Sequence, residues 1–277
     1  MEHSYWAVLN QMKNEGMVSG SMMKGKLLLI PMLVMLILPV AGCAMSHELT
    51  ELTEKAITAT SEAHSYRINL VSTPVLDENT VNTSFKLDFA APDRYHERSD
   101  CFICDDDNWS EFILIGDQRY FRGSLNPEWC KLPYEDDAAL SGYLLQITHL
   151  DNLAEILEPL DWLVDLQKLP DEAVNGFNCW HYVGAVDMNS YMKQKAGIEE
   201  GQVPSEVYAL HEAMRRGTRV VELWVEKDNY LIRQLKIREF YTTINIDTGE
   251  VDSFSGVTTT QFHDYNEPII IEPPLLQ

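Results

Sequence analysis

Tyr66-Arg67-Ile68-Asn69-Leu70-Val71 alternates apolar and polar side chains, and Phe85-Lys86-Leu87-Asp88-Phe89 repeats the alternation after a short polar segment, Leu76 to Asn82. A period of two places Tyr66, Ile68 and Leu70 on one face of an extended chain and Arg67 and Asn69 on the other. Two such runs joined by a turn read as antiparallel strands with one wetter face. A sheet of this kind has to bury its apolar face, so every other stretch either extends it or covers it.

Upstream, Ser46 to Ser61 spaces Leu49, Leu52, Ala56 and Ala59 at three- and four-residue intervals with Glu and Lys between them, an amphipathic helix. Downstream, Ala91-Pro92-Asp93-Arg94-Tyr95 opens a third extended piece before the acidic loop Asp105-Asp106-Asp107-Asn108. That loop lacks the alternating acids, central Gly and terminal Glu of a calcium-binding EF-hand, so it reads as a solvated hairpin tip. Phe112-Ile113-Leu114-Ile115 is apolar on both faces, Gly116-Asp117 turns, and Arg119 to Arg122 returns. Between Ala138 and Leu169 the pattern becomes helical, with Leu153, Ile156, Leu157, Leu160, Leu163 and Val164 in spacing, Asp151 as a cap and Pro159 expected to kink or split the helix. Strands resume at Trp180 to Val186. A polar insert, about 188–219, carries an expected helix from Ser205 to Arg216. Val220 to Val225 and Leu231 to Phe240 read as a hairpin, followed by a strand near Tyr241 to Ile246 and another from Gly256 to Phe262. Pro268, Pro273 and Pro274 limit the tail to an edge or a loop.

The amino-terminal region follows a different logic. Lys24 and Lys26 precede a 14-residue apolar run, Leu27 to Val40, which ends in the small residues Ala41-Gly42 before Cys43. Basic, apolar and small segments in that order describe a secretory signal peptide. Val40-Ala41-Gly42-Cys43 resembles the bacterial lipobox, which implies acylation of the Cys43 thiol, with palmitate or a similar chain, and removal of residues 1–42. An uncleaved membrane helix is the competing reading, and Pro31, Pro39 and the small-residue end weigh against it. Met22 or Met23 would start a signal peptide of ordinary length, which marks the first 21 residues as an upstream extension. The expected organisation is 1–42 removed, 43–64 as lipidated terminus and first helix, and 65–277 as a single domain. That domain is long enough to bury a sizeable core.

The chain carries a formal net charge of −22, and loss of residues 1–42 removes three lysines and two glutamates, leaving it slightly more acidic. Such a surface repels phosphates, which argues against nucleic acid as a partner and against adsorption to anionic headgroups through a basic patch. A membrane attachment would rest on the lipid at Cys43. Cys101, Cys104, Cys130 and Cys179 form an even set in a chain that reads as exported, so structural disulfides are expected, with three possible pairings. Cys101-x-x-Cys104 could instead serve redox chemistry or zinc, yet no thioredoxin-like context and no second ligand pair accompanies it. The chain shows no Gly-x-Ser-x-Gly elbow, His-Glu-x-x-His or phosphate-binding glycine loop. His181 between Trp180 and Tyr182 reads as a structural histidine, and His211-Glu212 as an exposed pair. The reading is of a non-enzyme with no metal and no cofactor.

Several stretches in order resemble the bacterial LolA/LolB-like lipoprotein carriers, the LppX/LprG-type lipoproteins in particular. They are Ala91-Pro92-Asp93-Arg94-Tyr95, the Phe112 to Tyr120 hairpin with Trp129 beyond it, Val221-Glu222-Leu223-Trp224-Val225 reaching Leu231, and Phe262-x-Asp264-Tyr265-Asn266-x-Pro268. The resemblance implies an α+β fold: a large antiparallel, unclosed β-barrel of about ten strands with helices on its concave face and an apolar cavity for acyl chains. Leu153, Ile156, Leu157, Leu160 and Leu163 are the candidate helical wall, and Phe112, Leu114, Trp180 and Trp224 the candidate sheet wall. The implied function is an exported lipoprotein, anchored through Cys43 to the outer face of the bacterial cell membrane, or to an outer membrane where the host has one. There it would bind an acyl lipid or lipidated molecule and help to transport or present it. The alternative is an envelope sensor of the RseB type, or an interaction module with a protein partner in the envelope. The four later cysteines and the insert at 188–219 do not map onto the family.

Overall fold

The computed structural model describes residues 38–76, 79–80, 82–101, 108–132, 153–196, 212–244 and 251–276. The chain divides into two units, Met1–Gly42 and Cys43–Gln277, and the sheet belongs to the second. Twelve antiparallel strands form a single sheet: β1 (Ser65–Leu76), β2 (Asn79–Thr80), β3 (Thr83–Ala90), β4 (Arg94–Cys101), β5 (Asn108–Ile115), β6 (Gln118–Gly123), β7 (Asn126–Leu132), β8 (Leu163–Val174), β9 (Phe177–Val186), β10 (Thr218–Glu226), β11 (Ile232–Ile244) and β12 (Val251–His263). Their order is β7-β6-β5-β4-β3-β1-β12-β11-β10-β9-β8, with β2 a short partner of β1. Each half is a meander, and pairing of β1 with β12 joins the halves, Ile68 opposite Phe262 and Leu70 opposite Thr260. The outermost strands, β7 and β8, are not paired with each other, so the sheet is open.

β7 and β8 are consecutive described strands at opposite edges of the sheet. The chain enters β8 from α2 (Leu153–Leu157) and a 3-10 turn (Glu158–Trp162) with Pro159 at its start. Leu153, Ile156, Leu157 and Leu160 are buried in the main core with Ile68, Leu87, Leu223 and Phe262. α2 and the turn after it therefore lie on the apolar face of the sheet. The first helix, α1 (Leu38–Ser61), contributes the fully buried Ala56 to the same core, with Leu52, Ile57 and Ala59 packed against it. Its last turn is pinned by Thr60, whose Oγ1 accepts the Ile232 backbone N–H at 3.0 Å. Helix α3 (Met188–Ala196) is capped by Asp187, whose carboxylate accepts the Ser190 N–H at 3.2 Å and the Ser190 hydroxyl at 2.7 Å. These bonds hold the Asp187 carboxyl below the usual range. A short helix, α4 (212–216), precedes β10. Among the described residues no helix is long and apolar enough to cross a membrane.

Period-two alternation assigns the faces. The row Ile68, Leu87, Glu97, Phe112 and Phe121 runs across β1, β3, β4, β5 and β6 on the helix-covered side. Arg67, Asp88, His96, Ile113 and Tyr120 form the adjacent row on the opposite side. There Ile113 and Tyr120 are covered by Ile271 of the carboxy-terminal tail, and Arg94 donates to the Ile271 carbonyl at 2.7 Å. β5 is thus buried on both faces, as its uninterrupted apolar run implies.

Three sequence expectations are corrected. The helical spacing that included Leu163 and Val164 ends at Trp162, and both residues belong to β8, paired with Val186 and Ala185. Pro159 removes a donor and stops the α-helix, after which pairing to β9 outweighs the spacing of the leucines. The strand near Tyr241 is not separate: β11 runs unbroken from Ile232 to Ile244. The insert ends earlier than expected, because Thr218 and Arg219 are already paired in β10 with Phe240 and Glu239. The expected helix over 205–216 is seen from 212 onward; 205–211, His211 among them, lie outside the described residues, as do Asp151 and the 105–107 stretch.

Candidate functional site

On the helix-covered face the candidate wall residues fall into three groups. Leu153, Ile156, Leu157 and Leu160 come together in the main core, and Leu163 and Trp180 pack partly buried against it from β8 and β9. Trp180 also meets Tyr230, with ring centroids 5.5 Å apart. Phe112 and Leu114 lie on the same side of the sheet, in the rows of Leu87 and of Tyr95.

Trp224 does not join them. Its neighbours Leu223 and Val225 face the main core, so strict alternation turns Trp224 to the opposite side. There it is buried with Val174 and Cys179, stacks on His181 at 4.1 Å, and donates its indole N–H to Glu172 at 2.9 Å.

The helix-covered face also holds polar positions that the sequence reading passed over. Glu97 is buried between Leu87 and Phe112, and the hydroxyls of Ser99 and Ser110 share a hydrogen bond of 2.7 Å one row away. Their signal was the alternation in β4 itself: Tyr95, Glu97 and Ser99 occupy the positions that an inward face requires.

The opposite face carries a groove of about 830 Å3 between β1, β12 and β11 on one side and the β8–β9 turn on the other. Arg67 spans it at one end, paired with Asp88 at 3.2 Å and with Asp264 at 2.7 Å. His263 Nδ1 lies 3.1 Å from Asp264 and Nε2 lies 3.0 Å from the Asn69 amide. The carboxylate can only accept, so Nδ1 carries the proton and Nε2 accepts from Asn69. The Arg67 hydrogen bond holds the Asp264 carboxyl below its usual range against the opposing effect of burial, with His263 adding to the same direction. Asp264 and Asn266 adopt positive φ, which turns the chain out of β12. Asn266 accepts the His64 N–H at 2.8 Å, so the turn is tied to the start of β1.

At the other end Arg233 is the extra residue of a β-bulge, since Trp224 pairs with Gln234 and Val225 with Ile232. Its guanidinium is buried, donates to Glu226 at 2.8 Å, and lies 3.6 Å over the Phe177 ring. Tyr265 closes the floor, its hydroxyl donating to the Ile232 carbonyl at 2.7 Å, and burial pushes its pKa up. The rim opposite is the Asn175-Gly176 turn, both residues at positive φ, the geometry of a type I′ hairpin.

The cysteines differ from expectation. Cys130 and Cys179 are free thiols. Cys130 pairs with Phe121 on the helix-covered side, whereas Cys179 pairs with Glu226 on the other, so the sheet separates them. Burial pushes the Cys179 thiol up, which makes it a poor nucleophile. Cys104 and the side chains of Cys101 and Cys43 lie outside the described residues. Among the described residues no group of three His, Cys, Asp or Glu side chains could hold a metal ion.

No family model matches the chain, and no curated protein does. Solved structures do. The chain is similar to the lipoprotein LppX of Mycobacterium tuberculosis, at 17% identity over 82% of this chain and 99% of that one, with a TM-score of 0.47. It is similar to LprF of Mycobacterium bovis, at 11% identity over 82% and 97%, with a TM-score of 0.48. A LolA-superfamily protein of Nitrosomonas europaea follows at 10% identity, 80% and 94% coverage and a TM-score of 0.29.

Proposed function

We propose that this chain is a non-catalytic, exported lipoprotein that binds an acyl lipid or lipidated molecule between the helices and the sheet and helps to transport or present it. Cleavage before Cys43 and acylation of its thiol would hold it at the outer face of the membrane. One observation carries the ligand class: the apolar face extends from Leu223 on β10 to Phe121 on β6. Eight strands at the usual spacing span about 34 Å. A helix covers about 10 Å. The described helices packed on this core are α1, the short α2 with its 3-10 turn, α3 through Met188 and Met192, and α4 through Met214, while Phe112, Leu114 and Phe121 on β5 and β6 lie beyond the described members of that cluster, where a chain-like apolar ligand would lie. Transfer of such a chain from water contributes about 0.8 kcal/mol per methylene. Glu97, the Ser99–Ser110 pair, Thr260 and the Ser72–Thr258 pair supply polar points among the apolar side chains of this face, the arrangement that orients a ligand.

The test is to export the Cys43→Ser variant, purify it without detergent and extract bound lipid for mass spectrometry. Reproducible acyl lipid in near-stoichiometric amount is expected. A protein that is empty and also fails to take up a fluorescent fatty acid would overturn the proposal.

A further inference from the structure

The groove lies on the face opposite the helices, away from the residues proposed to bind an acyl chain, and its chemistry points to a different ligand. Its volume, about 830 Å3, lies within the range of small-ligand sites. Its lining is mainly polar, which disfavours an apolar occupant. An anion would need cationic charge to spare, yet Arg67 is paired with both Asp88 and Asp264, and Arg233 with Glu226. Those same arginines neutralise Asp88, Asp264 and Glu226, and the other carboxylate of the lining, Glu267, is exposed to solvent. Away from Glu267 the groove thus offers hydrogen bonds from groups whose charges are already paired.

The hydrogen-bonding groups are arranged in a line. Asn69, Gln261 and Gln234 occupy facing positions on the adjacent strands β1, β12 and β11. Gln261 donates to the Gln234 carbonyl oxygen at 3.0 Å, which fixes the ladder's orientation. Each amide has two donors and one acceptor with two lone pairs, so the single bond made by Asn69 or Gln261 leaves capacity for a ligand. Successive positions across a sheet are about 4.8 Å apart, close to the spread of hydroxyls on a sugar ring. Phe177, 38% exposed at the edge of the groove, adds an apolar surface steadied by the Arg233 guanidinium. Planar amides beside a partly exposed aromatic ring suit a ligand with many hydroxyls and an apolar ring face.

We propose that this groove binds a neutral carbohydrate, its hydroxyls held by Asn69 and Gln261 and one ring face set against Phe177. The sugar could be part of a free glycan or the headgroup of a glycolipid. The site stands on its own residues, independently of acyl-chain binding on the other face.

Titration calorimetry would use the full chain in a non-glycosidic detergent, with cellotetraose and chitotetraose as soluble probes. A parallel arm would use flotation with phosphatidylcholine vesicles with and without a monoglycosyl diacylglycerol. Saturable binding is expected to at least one tetrasaccharide or to the glycolipid vesicles alone, the second result assigning the sugar to a headgroup. Binding should change less than about twofold between low and high salt, because a neutral ligand is not screened. Asn69→Ala with Gln261→Ala, and separately Phe177→Ala, should each weaken it at least about tenfold while the circular dichroism and fatty-acid uptake stay as in the parent. The proposal is overturned by no binding in either arm, by preference for a sulfated oligosaccharide with steep salt dependence, or by binding that both folded variants retain.

Discussion

Arg67 on the first long strand and Asp264 just past the last are joined by a hydrogen bond of 2.7 Å, although 197 positions separate them in the chain. The pair lies beside the β1–β12 seam that unites the two meanders. Both side chains are about two-fifths exposed, so solvent screening limits the contribution to about 0.5–1 kcal/mol. Asp264→Asn removes the charge while tolerating the positive φ there. It should lower stability by that amount at neutral pH in urea unfolding. The Asp264 carboxyl titrates below its ordinary value, so its contribution is fully present above the unfolded pKa of about 4 and is lost as pH falls through the lower folded pKa. The parent and the variant should therefore converge in acid.

Arg233 and Glu226 present the buried counterpart. Their side chains are 6% and 8% exposed, and Arg233 also lies over Phe177 and Tyr265. Removing one partner leaves the other charged and dry, so Glu226→Gln should cost about 3–5 kcal/mol, far more than Asp264→Asn. The double variant Glu226→Leu with Arg233→Met should recover most of that loss. Equilibrium unfolding of the three proteins checks both statements.

The alternation in Tyr66–Val71 and Phe85–Phe89 made the sheet legible, because period two is a local signal that survives into the fold. β8 was not legible for the same reason: Leu160, Leu163 and Val164 fit a helix locally, and only pairing with β9 made Leu163 and Val164 a strand. The missed signal was Asn175-Gly176, a hairpin turn dipeptide directly before Phe177. Trp224 illustrates a different limit. Its strand was read correctly, but which alternate residues faced the helices depended on Leu223 and Val225. The groove was invisible in the sequence because Asn69 and Gln261 meet only through the β1–β12 register, which no local pattern encodes.

Gly176 and Gly217 separate two reasons for a glycine. Gly176 has φ of +87° and nothing within 4 Å of an added Cβ, so Gly176→Ala should cost only backbone strain, about 1–2 kcal/mol. At Gly217 an added Cβ would lie 2.7 Å from the Phe240 carbonyl oxygen and 2.8 Å from the Tyr241 Cβ. Gly217→Ala therefore forces β11 or the α4–β10 junction to move and should destabilise more than Gly176→Ala. Thermal unfolding of the two variants side by side gives the ranking.

Leu157 distinguishes core packing from ligand contact. It is 2% exposed, so Leu157→Ala should lower stability by about 2–5 kcal/mol whether or not a lipid binds nearby. Leu157→Trp makes the sharper measurement, because added volume on the helix-covered face competes with an acyl chain. If Leu157 borders the lipid, the folded Trp variant should take up a fluorescent fatty acid at least about tenfold more weakly than the parent. An equivalent enlargement at Val220, which shares Trp224's face of β10 away from the helices, should leave uptake unchanged in the folded variant. Unaltered uptake in a folded Leu157→Trp protein would remove this residue from the wall and place the ligand elsewhere along the sheet.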